Sequence, residues 1–74
     1  MNKPSAPGTF VAPYRVELAF NFDDMAEDYR RMVAEWWCCY RTEKRWLRRV
    51  LMDRGLVTFH FEDLVEATMF RLSN

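Results

Sequence analysis

The chain has 74 residues, half of them hydrophobic, with eleven basic and eleven acidic side chains and a formal net charge of zero. This composition excludes a disordered chain and leaves room for one domain, of a size that buries only about 60% of its unfolded surface. Adjacent Cys38 and Cys39 exclude a disulfide framework because neighbouring Cβ atoms point apart, and no stretch reaches the ~18 apolar residues of a membrane span.

Residues 1–13 hold all three prolines and Gly8, one of the two glycines. A flexible Pro-rich tail is expected there, with Phe10 and Val11 as anchors if it orders on a partner. Residues 14–74 are expected to form the domain. From Tyr14 to Phe22 the chain alternates: Tyr14, Val16, Leu18, Phe20 and Phe22 point one way, Arg15, Glu17, Ala19 and Asn21 the other. That is the pattern of a half-buried strand.

Asn21 or Asp23 can then cap a helix with Asp24, Glu27 and Asp28 in its first turns. At helical spacing one stripe collects Met25, Tyr29, Met32, Val33, Trp36, Cys39, Tyr40, Leu47, Val50 and Leu51. It predicts a core-facing helix from Asp23 to Arg54, roughly 45 Å long, with Gly55 as its stop. Glu43 falls inside the stripe, so it either pairs with an arginine or marks a bend or break near residues 41–43. Leu56 to Phe61 reads as a second strand. Glu62 and Asp63 then open a terminal helix whose inner face is expected from Leu64, Val65, Thr68, Met69 and Leu72. The predicted architecture is α+β, ordered strand, long helix, strand, helix. A strand-helix-strand crossover favours a parallel pair with a right-handed connection, but two strands alone make a marginal sheet, so either a hairpin-like antiparallel variant or an edge covered by the tail, a second protomer or a partner is expected.

Charge is segregated along the chain. Residues 1–29 carry −3, residues 30–54 carry +5 and residues 55–74 carry −2. On the long helix, Arg30, Arg31, Arg41, Arg45, Arg48 and Arg49 gather opposite the apolar stripe. Like charges at i, i+4 spacing repel, so a helix shaped for stability alone would mix in acids. Arginine also suits bidentate carboxylate or phosphate contacts. Trp37 and Trp46 lie on opposite shoulders of the stripe, and Trp and Arg are enriched in interface hot spots. These eight residues are the expected partner-binding set.

Other chemistry finds no grouping. Adjacent cysteines lack metal-ligand spacing, and His60 is expected to be a strand or turn residue with a satisfied ring. Asp23/Asp24 and Glu62/Asp63 sit where helix caps belong, and no glycine-rich phosphate loop exists. No enzyme activity, cofactor or metal is expected. Arg48 to Phe70 can be read as a helix-turn-helix, but its second helix is acidic where phosphates would lie.

The Pro-rich start Met1–Pro13 and the Arg/Trp stretch Arg30–Arg49 give the chain the character of small bacteriophage-encoded host-takeover proteins, which it resembles in type. These include RNA-polymerase-binding transcription regulators and anti-CRISPR proteins. The resemblance implies a non-catalytic inhibitor or regulator of a larger host machine, with a leaning toward RNA polymerase, working in the host cytoplasm. It transfers no functional residue. The alternatives are a nucleic-acid-binding module using the same basic face, or a homodimeric structural protein pairing its strand edges. A monomer or weak homodimer and no membrane are expected; the absence of a signal-peptide pattern fits a cytoplasmic location.

Overall fold

A computed structural model of the chain describes residues 1–6, 8 and 12–74. Three strands and two helices follow one another as β1 (Tyr14–Ala19), α1 (Met25–Arg41), β2 (Trp46–Leu51), β3 (Leu56–Phe61) and α2 (Leu64–Ser73). A single 3-10 turn, Met52–Arg54, joins β2 to β3. The sheet order is β1-β3-β2, and β3 pairs antiparallel with both neighbours. β1 and β2 therefore run parallel, separated by β3.

This corrects two expectations. The sheet has three strands, so β3 has both edges paired and the marginal two-stranded sheet does not arise. The long helix ends at Arg41: Thr42 is extended at φ −105°, ψ 149°, and its backbone N–H donates to the Cys38 carbonyl. Residues 43–45 form a loop, and Trp46–Leu51 is strand. The break falls where Glu43 interrupts the apolar stripe. α1 is 17 residues, about 25 Å, rather than 45 Å.

Local rules explain the ends. Asp24, not Asn21 or Asp23, is the N-cap of α1 and accepts from the Ala26 N–H, while Asn21 Oδ1 accepts from Asp23 N–H. Asp63 caps α2 by accepting from Glu66 N–H at 2.9 Å. Gly55 ends no α-helix, but it closes the 3-10 turn, its N–H donating to the Met52 carbonyl. It turns β2 into β3 at φ 63°, a left-handed conformation that glycine adopts without a Cβ penalty. An added Cβ would also meet the Phe20 carbonyl oxygen at 3.0 Å, because Phe20 N–H donates to the Gly55 carbonyl.

The strand alternation of β1 holds: Val16 is buried, Arg15, Glu17 and Ala19 are exposed, and Phe20, just past the strand, is buried as well. The register puts Tyr14, Val16 and Leu18 level with Phe61, Phe59 and Val57, and these with Trp46, Arg48 and Val50. Trp46, Phe59, Phe61 and Val57 from this face join Phe70 of α2 and Cys38 of α1 as the largest fully buried side chains. Phe70 stands at the centre, with ring centroids 4.6 Å from Phe59, 5.2 Å from Phe61 and 5.4 Å from Trp37.

The helices present unexpected sides. α1 buries Ala34 and Cys38, and α2 buries Ala67 and Phe70. Met25, Tyr29, Met32, Val33, Trp36 and Tyr40, expected inside, are exposed, as are Leu64, Val65, Met69 and Leu72. Volume is the reason. The sheet face already supplies rings from Trp46, Phe59 and Phe61. α2 adds a fourth ring, Phe70, and close packing at interior density then asks small side chains of α1, Ala34 and Cys38. The broad apolar stripe of α1 is displaced to the outside.

The first six residues, expected within a mobile tail, are tied to the domain. Asn2 N–H donates to the Cys39 carbonyl at 2.7 Å and Ser5 N–H to the Trp46 carbonyl at 2.8 Å. Asn2 Nδ2 also donates to Thr42 Oγ1 and the Lys44 carbonyl. Phe10 and Val11, the expected anchors, lie outside the described residues. No helix among the described residues is long and apolar enough to cross a membrane.

Candidate docking surface

The six arginines do not share one face, because the helix that would align them stops at Arg41. Arg30, Arg31 and Arg41 belong to α1, Arg45 to the loop, and Arg48 and Arg49 to β2. Most are neutralised within the chain. Arg30 donates to Glu27 at 2.7 Å and to the Ala19 carbonyl at 2.6 Å, with its guanidinium 4.2 Å from the Phe20 ring centroid. The hydrogen bond from Arg30 holds the Glu27 carboxyl below its ordinary pKa. Arg45 pairs with Glu62.

Arg31 bridges Asp28 at 2.8 Å and Glu35 at 3.1 Å, and Arg48 of β2 donates to the other oxygen of Glu35. Asp28, Arg31, Glu35 and Arg48 thus form a half-buried chain of alternating charge on the inner side of α1. It fastens helix to sheet where an apolar contact would otherwise be needed. Glu35 is its hub, and its side chain is only 16% exposed. Truncating it strands the half-buried guanidinium of Arg48 and leaves Arg31 with Asp28 alone. Glu35→Ala should therefore destabilise the domain by about 1–3 kcal/mol, measured by urea unfolding, with a smaller loss in the Arg48→Met background, which removes the stranded charge.

The tryptophans part company. Trp46 is fully buried, and its indole N–H donates to the Asn2 carbonyl at 2.8 Å. It is core, which corrects its expected role as an anchor. Trp37 is half-buried and packs edge-on against Phe70. Its outer part lines a groove of about 510 Å³ between the helices, with Arg41 on the same helix and Val65, Glu66, Met69 and Ser73 on α2. Arg41 has no ion pair among the described residues. Glu66 is occupied, accepting from the backbone N–H groups of Glu43 and Lys44. Of the expected eight, Trp37 and Arg41 alone meet at this groove.

What the sequence pattern missed is the outward apolar set: Trp36 and its neighbours on α1, and Val65, Met69 and Leu72 on α2. A signal for it exists in the acid–base pairs at i, i+3 and i+4 on the opposite side of α1, Glu27–Arg30, Asp28–Arg31 and Arg31–Glu35. A helix face whose charges satisfy one another can be turned inward.

Reactive chemistry is sparse. Among the described residues no cluster of His, Cys, Asp and Glu is placed to hold a metal ion. Burial pushes the Cys38 thiol far above its ordinary pKa. His60, on the sheet face away from the helices, has a buried Nε2 without a hydrogen-bond partner among the described residues, in place of the satisfied ring expected. Desolvation, then the nearby charges of Arg15 and Arg49, lower its pKa and keep the imidazole neutral at pH 7.

No protein-family model, curated protein or solved structure matches the chain. The geometry of the surface therefore carries the functional reading.

Proposed function

We propose that this chain is a non-catalytic protein-binding module and that it docks through the groove between α1 and α2. The observation that supports this is the outward set on α2: the large apolar side chains Val65 and Met69 line the groove 67% and 54% exposed, while Ala67 and Phe70 fill the inner side. Water-exposed apolar groups lining a groove are a standing cost that a partner relieves. Arg41, uncompensated at its rim, sets the charge of that partner. The complementary segment is apolar with a carboxylate beside it, and a carboxylate–guanidinium contact would orient it. Regulation of a larger machine by occupancy is in keeping with this chemistry. Nothing in the groove selects RNA polymerase over another protein.

The nucleic-acid alternative has less support, because Arg30, Arg31, Arg45 and Arg48 spend their charge on the chain's own acids. Val65→Glu with Met69→Glu tests the groove at two exposed positions that the fold tolerates. Quantitative capture followed by cross-linking is expected to lose, with this pair, a partner that Arg49→Glu retains. Capture that survives the pair, or strongly salt-dependent binding to a generic oligonucleotide, would refute the docking assignment.

A further inference from the structure

The outward stripe of α1 is separate from the groove and has its own order. Met25, Tyr29, Met32 and Trp36 follow one another at spacings of four, three and four residues, the alternation of a heptad seam, and Val33 and Tyr40 broaden it. All six are exposed: Met25 to 88%, Tyr29 to 61%, Tyr40 to 70% and Trp36 to 50%. A seam of this kind packs against another helix with the same repeat. The remaining helix of the chain, α2, lies across β1 and β3 and does not cover it.

We infer that the occupant is a second copy of this chain, with the two α1 helices packed antiparallel about a two-fold axis. Three observations support this. The stripe is centred between Met32 and Val33, so a two-fold axis there sets Met25 against the partner's Tyr40 and Tyr29 against the partner's Trp36, aromatic and thioether groups that pack well together. The helix is also polar in charge. Asp23 and Asp24 stand exposed at its start; at its end Arg41 and Lys44, with no ion pair among the described residues, stand exposed and outweigh the equally exposed Glu43 between them. Antiparallel packing brings each acidic end to a basic one and opposes the helix dipoles, whereas parallel packing would place like ends together. Finally, the area is sufficient. The stripe offers on the order of 500 Å² of apolar surface per protomer, about 1,000 Å² in the pair, at the lower limit for a specific interface.

Area alone does not fix affinity, but an interface at this lower size limit belongs with the weak, exchanging ones, and the expected dissociation constant is on the order of 10 µM. Sedimentation equilibrium of the full chain should show this monomer–dimer exchange, and Trp36→Glu should weaken it about 100-fold by placing a charge in the seam. If Trp36→Glu alters the far-UV spectrum, Tyr40→Glu at the more exposed position replaces it. Orientation is read by oxidation in a Cys39→Ser background: Met32→Cys, beside the axis, should cross-link, and Met25→Cys should not. A wild-type chain that stays monomeric at about 100 µM, well above that constant, overturns the inference. So does a dimer indifferent to both glutamate variants, or cross-linking of Met25→Cys as efficient as that of Met32→Cys, which would mean parallel helices. Val65→Glu with Met69→Glu should leave the dimer intact, so failure here and failure of the groove assignment are told apart.

Discussion

Phe70→Ala should remove a large share of the domain's stability and lower its urea midpoint sharply. Phe70 is fully buried and touches three aromatic rings from two other elements, Phe59 and Phe61 on β3 and Trp37 on α1. Truncating a buried Phe costs about 3–5 kcal/mol, transfer and cavity terms together. A domain of this length holds only about 4–11 kcal/mol. The cavity cannot collapse easily, because its walls are rings held by β3 and by the helix that Glu35 fastens to the sheet. Phe70→Leu keeps most of the volume and should retain a cooperative transition at a lower midpoint. Far-UV circular dichroism with urea titration measures both. An alanine variant with a midpoint near wild type would mean that the helices do not pack on the sheet as described.

The second large effect is expected at Trp46, for a reason opposite to the one its sequence context suggests. Its indole lies between Phe59, at a centroid distance of 6.4 Å, and the chain's own first residues, where its N–H donates to the Asn2 carbonyl. Trp46→Ala should cost about 3–5 kcal/mol and also release residues 1–6, seen as faster amide exchange at Asn2 and Ser5. Trp46→Phe should fold but lose the bond to Asn2. By contrast, Trp36→Ala should change stability little, since that ring is half exposed on the outer stripe. If Trp46→Ala instead folds normally and loses only partner binding, Trp46 returns to the docking surface and the core described here is wrong.

Some elements were legible. The alternation from Tyr14 to Leu18 points the same residues inward that the structure buries or half-buries, and Leu56–Phe61 is the strand its branched and aromatic residues indicate. Asp63 caps the last helix at the expected place. The stretch Trp46–Leu51 was ambiguous for a simple reason: residues four apart share a face in a helix and in a strand alike. Trp46 with Val50, and Leu47 with Leu51, satisfy both periods, and the arginines between them could extend a helix or line a strand. Only the partner strand β3 resolves the choice, by pairing with all six residues.

By itself the sequence determined which residues group together: an apolar stripe on α1, a charged side opposite, an alternating strand, two capped helix starts. Periodicity is a property of one element's own residues, and it is readable there. Which side each helix turns inward was decided only in the tertiary structure, because that depends on the volume the sheet has already filled. With Trp46, Phe59, Phe61 and Phe70 occupying the interior, Ala34 and Cys38 fit beneath α1 and the larger side chains do not. The arginines were likewise free charges in one dimension and became mostly internal pairs in three, since Glu35 and Glu62 reach Arg48 and Arg45 only once the strands are in place.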